Sequence, residues 1–258
     1  MNNDPTAEVS TAKVSTAEPL QATPPGRGGP AREKAASSGR RAAQNATASD
    51  AGSSFAIQGA IGFLAGGLIT VICSGASALA AFENIEVVVR FLGYGLGGAL
   101  GGAALAWGSS RKHAPRVAAF GFALAFLFPA AFAGSALGRL LTVKPEAYGF
   151  GTFVGTVMVF TIGFGIAGAI GGSFVLPRLF WAGLVRFGLA GAVGALVAAT
   201  VPAFHLHADN VTPQHLIGVV AALIGGHLIP FVLGGFWFGR ALEAEERAQG
   251  RKRGARRS

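Results

Sequence analysis

Two stretches decide how this chain is read: LFPAAFAGSALGRLL (Leu127–Leu141) and LIPFVLGGFWFGRAL (Leu228–Leu242). Set on one another at a shift of 101 residues, they share their first and last leucines, a proline, two glycines and an arginine. The likeness continues upstream at a shift of 96, where Val89-Arg90-Phe91 falls on Val185-Arg186-Phe187. Gly59, Gly67 and Gly75 then meet Gly155, Gly163 and Gly171, and Gly95, Gly98 and Ala99 meet Gly191, Gly194 and Ala195. In a chain so rich in glycine and alanine, small residues coincide by composition alone. The Arg-Phe pair and the frame of proline and Gly-Arg are harder to obtain that way, and they carry the reading of an internal duplication.

The repeated material suits a membrane. Of 258 residues, 51% are hydrophobic and 13% charged, against about a quarter charged in soluble domains. Most charges are bunched at the ends, and between them lie apolar runs near the ~20 residues that cross a bilayer's hydrocarbon. Six spans are expected, at about Phe55–Leu79, Glu86–Gly108, Arg116–Leu137, Gly149–Val175, Leu179–Ala203 and His215–Phe238. Pro115 and Pro213 stand where a first helical residue has no hydrogen bond to lose, and Thr212 is placed to cap the second of these helices. A repeat of three spans makes an odd number of crossings, so the second copy enters from the opposite side. That gives two inverted-topology repeats about a pseudo-two-fold axis in the membrane plane. The expected fold is all-α and polytopic, with residues 1–53 a disordered polar tail, 54–142 the first three-helix repeat, 148–242 the second and 243–258 a basic tail.

Basic residues set the expected orientation. Lys13, Arg27, Arg32, Lys34, Arg40 and Arg41 precede the first span, Arg111, Lys112 and Arg116 follow the second, and Arg178 follows the fourth. Arg240, Arg247, Arg251, Lys252, Arg253, Arg256 and Arg257 follow the sixth. Only Arg139 and Lys144 run against this bias. Both termini are therefore expected in the cytoplasm, in a bacterial inner membrane to judge from the alanine- and glycine-heavy composition. A source of that kind makes the glycosylation patterns at Asn45 and Asn210 irrelevant. No short apolar core with a small-residue cleavage site opens the chain, which argues against a signal peptide. The net charge of +9 comes mostly from the tails. Beside a membrane, the run RAQGRKRGARRS points to anionic lipid rather than nucleic acid as its partner, unless it is a topology signal alone.

Glycine recurs at helical spacing inside the spans. Gly93, Gly97 and Gly101 lie four apart in the second, and Gly151, Gly155, Gly163 and Gly171 mark the fourth. Such faces let helix backbones approach closely, either within one subunit or against a second copy or partner helices. Pro129 and Pro230 sit well inside the third and sixth spans and leave the carbonyls of Ala125 and Gly226 without their usual donor. Bends at matching places in two inverted halves are either packing kinks or the mark of a central site. His227 breaks the symmetry, since its counterpart is Phe126, and no carboxylate joins it at mid-span. A proton- or cation-driven pump would place one there. Pro129, Pro230, Gly225, Gly226 and His227 are thus the expected lining of a pathway, with Arg90 and Arg186 near its mouths and Glu86 paired to Arg90 one turn away.

Other constellations carry less. His205, His207, Asp209 and His215 offer a histidine–carboxylate set suited to zinc or copper, but their spacing fits no metal signature. The lone cysteine, Cys73, excludes a disulfide framework and a thiolate site. Ser74 and Ser77 lack a nearby base, and GYGLGG (Gly93–Gly98) lies within a span rather than in a phosphate-binding turn. The spans hold no paired Asn-Pro-Ala half-helices, as aquaporins do, and no Gly-x-Ser-Gly of a rhomboid protease. The expectation is a channel or facilitator for a small solute, without enzymatic activity or cofactor. A glycine-zipper scaffold that binds partner helices and anionic lipid is the alternative.

Overall fold

A computed structural model describes residues 55–75, 83–107, 114–142, 149–199 and 213–255. The polar N-terminal tail, residues 1–53, lies outside them. Among the described residues all regular structure is helical, and six helices are long and apolar enough to cross a membrane. They are α1 (Phe55–Gly75), α2 (Glu83–Ala106), a third span in three pieces, α6 (Phe150–Val175), α7 (Phe180–Ala198) and a sixth in two. The third span comprises α3 (Ala114–Ala125), α4 (Leu127–Ala131) and α5 (Ala133–Thr142). The sixth runs from α8 (Pro213–Leu223) through a π-helical turn (Ile224–Leu228) into α9 (Ile229–Ala255). These spans match the expected set closely, and their composition supports an integral membrane location.

Many large aliphatic side chains point outward, and small residues turn inward. Along α1, Ile57, Ile61, Leu64, Leu68 and Ile72 form an exposed stripe, while Gly59, Gly62, Gly66 and Thr70 face the interior. Val88, Leu92, Leu96 and Leu100 do the same on α2, and Trp181, Val185, Leu189 and Leu196 on α7. In water, apolar surface on this scale would drive association. In hydrocarbon it meets a matching solvent, and small residues let the backbones close up inside. Helices also satisfy every backbone group within the segment, as a bilayer demands.

Contacts between glycines and neighbouring helices give the packing. A Cβ built on Gly66 would stand 2.3 Å from the Gly97 carbonyl oxygen, and one on Gly183 would stand 2.0 Å from that of Gly168. The Thr70 hydroxyl donates to both Gly66 O (3.0 Å) and Gly93 O (3.1 Å), fastening α1 to α2. Where glycine leaves a gap, a phenylalanine ring enters. Phe63 lies on Gly101 and Gly235, Phe122 on Gly171, and Phe187 on Gly234. These rings form the core. Phe63 stacks or edges against Phe122 (5.3 Å), Phe126 (5.7 Å) and Phe187 (5.3 Å), and Phe126 against Phe231 (4.6 Å).

The glycine contacts of α1 with α2 and α9, of α6 with α7 and the third span, and of α7 with the sixth span run antiparallel. The start of α1 and the end of α9 therefore lie on one face, here the terminal face, together with the start of α7 and the end of α6. The end of α1 and the starts of α2 and α6 lie on the opposite face.

The two mid-span prolines are absorbed differently. Around Pro129 the helical bonding continues, with the Phe126 and Phe132 N–H groups donating to Phe122 O and Phe128 O, each at 2.9 Å. Pro230 follows the π turn, in which the Ile229 N–H donates five residues back to Ile224 O. That inserted residue takes up the register the proline disrupts. Beyond Phe238 the sixth helix outlasts its apolar span and continues to Ala255, because the alanines, glutamates, Gln249 and arginines there are strong helix formers in water. Glu243 on this extension is buried, and its Oε1 accepts the Ala56 N–H at 2.9 Å. The carboxylate thus caps the start of α1, where orphan N–H groups and the helix dipole favour an anion. Arg178 pairs with Glu245 at 3.7 Å across the same face.

Candidate functional site

A polar column descends from the opposite face into the phenylalanine core. Glu86, Arg90 and Tyr94 follow one another four residues apart on α2, so they share one side of the helix. Their exposure falls with depth. The Glu86 side chain is 47% exposed and Arg90 15%, with Arg90 Nη1 3.9 Å from Glu86 Oε1. Tyr94 is wholly buried, and its hydroxyl lies 2.8 Å from Nδ1 of His227, which is 1% exposed. The Tyr94 ring packs edge-on to the imidazole (5.4 Å) and against Phe164 and Phe231.

Among the described residues His227 Nε2 has no hydrogen-bond partner, nor does the buried Arg90 Nε. For the uncharged imidazole two tautomers are open. If Nδ1 carried the hydrogen, both the phenol hydrogen and the Nε2 lone pair would be stranded. If the Tyr94 hydroxyl donates to Nδ1, only the Nε2–H is left over. The second arrangement strands fewer groups, so the column ends on a buried N–H donor without an acceptor, a state that costs about 1–3 kcal/mol.

On the same face, a cleft of about 880 Å³ separates α5 from the start of α6. Phe132, Ser135 and Arg139 line one wall, and Thr152, Gly155 and Thr156 the other. Ser135 and Thr156 donate their hydroxyl hydrogens to carbonyls four residues back in their own spans, Ala131 O (2.6 Å) and Thr152 O (2.9 Å). The walls therefore present oxygen acceptors, one guanidinium and apolar surface.

The expected pathway residues fall mostly in the packed interior. Gly225 and Gly226 form the middle of the π turn, Gly225 against Ala198 and Gly194, and Gly226 against Leu137. Pro230 packs on Gly194, and Pro129 lies against Gly163. All are buried, and none borders the cleft. Arg90 and His227 belong to one column, whereas Arg186 stands near the terminal face and donates from Nη1 to the Trp237 carbonyl.

Of the glycines expected to pack helices, Gly93, Gly97, Gly101, Gly163 and Gly171 do so, but Gly151 and Gly155 have no described atom within 4 Å of a Cβ position. His205, His207 and Asp209 lie outside the described residues, as does the side chain of His215. Among the described residues no three metal-binding side chains gather.

Sequence reasoning passed over Tyr94, Glu243 and the phenylalanine cluster. For Tyr94 a signal existed, because only two tyrosines occur and this one lies deep in a span. No protein-family model, no curated protein and no solved structure matches the chain.

Proposed function

We propose that this protein is an integral membrane facilitator for a small polar solute, built from two inverted three-helix repeats, residues 54–142 and 148–242. The observation that carries the transport reading is the column Glu86–Arg90–Tyr94–His227, which ends on an unpartnered buried N–H. A scaffold has no use for a costly unpaired donor in its core. A solute oxygen, or water travelling with it, completes that bond in transit.

Corresponding contacts support the repeat. Gly67 of α1 packs on Leu228 and Phe231 of the sixth span, and its counterpart Gly163 of α6 packs on Pro129 and Phe132 of the third. Arg90 lies against Gly134 of α5, and its counterpart Arg186 reaches Trp237 of α9. The distribution of Lys and Arg puts both termini in the cytoplasm, with Arg247, Arg251 and Lys252 of α9 on the side of anionic lipid headgroups.

The test is flux of a panel of uncharged oxygen-bearing solutes into liposomes containing the purified protein. Wild type is expected to exceed protein-free vesicles for at least one solute, and His227→Phe, the residue of the other half, to lose about tenfold or more of that rate. Vesicles no more permeable than lipid alone across the panel refute the reading. A second reading, a scaffold for partner helices, draws on the open glycines Gly151 and Gly155. It gains if flux is absent and Gly155→Leu abolishes self-association or co-purification of a membrane partner.

A further inference from the structure

Two seams join the proposed halves, α1 with α9 and α6 with the third span. At the terminal face both are shut. A Cβ on Gly59 would lie 2.5 Å from Gly235 O, and one on Gly239 2.5 Å from Phe55 O and 2.7 Å from Ala56 Cα. In the other seam, Gly171 meets the Phe122 ring and Gly121 meets Phe174, each with an approach of 2.4 Å. The shifts of 96 and 101 residues carry these contacts to the opposite face, as Gly155 with Gly134, Gly138 with Gly151 and Thr152, and Gly75 with Leu223. There the matching positions are not in contact among the described residues. Gly75, Gly151 and Gly155 have no described atom within 4 Å of a Cβ position, and the cleft runs along Gly151 and Gly155 of α6, with Ala131, Ser135 and Ala136 across it and Gly134 turned toward Arg90.

The arginines differ in the same sense. Arg90 covers Gly134, its Cδ 2.6 Å from the Cβ position, as a wedge between α2 and α5. Arg186 does not cover the matching Gly235, which is already filled by Gly59 and Phe63, and donates to the Trp237 carbonyl instead.

We propose that the protein is a two-state carrier, held here open toward the face opposite its termini, which turns over by exchanging contacts between its symmetry-related seams. α5 closes on α6 through Gly134–Gly155 and Gly138–Gly151 while α1 parts from α9. Arg186 then slides onto Gly235, and Arg90 leaves Gly134 to donate to the Ala136 carbonyl. This rests on the repeat and transport readings above and replaces a fixed channel with alternating access. A helix glycine that touches nothing is weaker than alanine in its place, and a second packed state explains why glycine stands at 155. Pro129, which has no N–H to donate, and the π turn before Pro230 are the pivots such a motion needs. Because the two states make equivalent contacts, neither is strongly favoured over the other.

The test is a disulfide between Gly138→Cys and Thr152→Cys in a Cys73→Ala background. Thr152 has no atom within 4 Å of a Cβ at position 138 here, whereas a disulfide holds its two Cβ atoms about 3.8 Å apart. The bond therefore requires α5 to move toward α6. A mild oxidant is expected to bridge most of the protein in liposomes. Gly155→Leu, which meets nothing in the open state, is expected to leave thermal unfolding unchanged while cutting bridging and flux by about tenfold. Gly149→Leu, the same addition outside the seam, leaves both within about twofold. If leucine prevents expression, Gly155→Ala is expected to act in the same direction with a smaller loss. Flux without bridging, or bridging indifferent to Gly155→Leu, overturns the exchange. Bridging without flux supports the exchange and refutes the solute reading alone.

Discussion

Replacing Tyr94 and His227 with phenylalanine, singly and together, separates a pair retained for folding from one retained for function. Tyr94→Phe keeps the ring that packs on Phe164 and Phe231, but strands Nδ1 as a buried acceptor. An interhelical hydrogen bond in a bilayer contributes about 0.6–1.7 kcal/mol, and stranding a buried group costs about 1–3 kcal/mol. A loss of about 1–2 kcal/mol is expected for this single change. His227→Phe strands the phenol hydroxyl yet removes the unpartnered Nε2–H, so the two terms largely cancel. The double variant strands nothing. Deleting both partners of a buried bond is nearly neutral, so it is expected to equal wild type or exceed it by up to about 1 kcal/mol.

The resulting coupling of about 1–3 kcal/mol can be read from reversible unfolding in mixed micelles, followed by the fluorescence of the three tryptophans. In liposomes the same stable double variant is expected to lose about tenfold or more of its flux. A double variant less stable than either single one would make the pair a structural strut and refute the reasoning.

Glycine substitutions should divide by seam. Gly66→Ala drives a methyl toward backbone, 2.3 Å from Gly97 O, and is expected to cost about 1–3 kcal/mol. Gly75→Ala should be neutral or gain up to about 1 kcal/mol, with melting in detergent as the readout for both. Glu243→Ala bares the Ala56 N–H, for about 1–3 kcal/mol, whereas Glu243→Gln keeps the acceptor and loses only about 0.3–1 kcal/mol of attraction to the helix end. Rates of limited proteolysis near residue 55 will rank the two. For topology, a Cys73→Ala protein with Thr152→Cys is expected to react with an impermeant maleimide added outside intact cells, and one with Arg240→Cys only after permeabilisation. The reverse pattern sinks the assigned orientation.

The spans were legible because hydrocarbon thickness constrains composition and length together, so Phe55–Gly75 and Phe150–Val175 stand out from the residues alone. The interior was not. In a bilayer both sides of a helix are apolar, and periodicity cannot tell the buried Phe122 from Phe120, which is 59% exposed. The informative cue was the glycines, since several core rings (Phe63, Phe122, Phe187, Phe231, Phe238) sit over one in a neighbouring helix, but which glycine faces which ring depends on helix rotation. Arg90 and His227 were picked out as rare ionisable groups in apolar surroundings. Their joining through Tyr94 is a contact 133 residues apart in sequence, which no local pattern encodes. Glu243 was missed because it lies beyond the point where the apolar span ends.

The seam between the first and last helices also bears on how the protein is made. Gly59 waits for Gly235, Gly67 for Leu228, and the Ala56 N–H for Glu243, a partner 187 residues downstream. At ordinary ribosomal speeds of about 5–20 residues per second, that interval is roughly 10–35 s. Throughout it the newborn first helix sits in lipid with α2 as its neighbour and its second glycine face bare. Nothing charged is exposed meanwhile, so the wait is tolerable. It is nonetheless the window in which the final helix of another nascent copy can dock in its place, and crowded expression should therefore yield helix-swapped pairs of this chain in which α9 of one molecule completes α1 of the next.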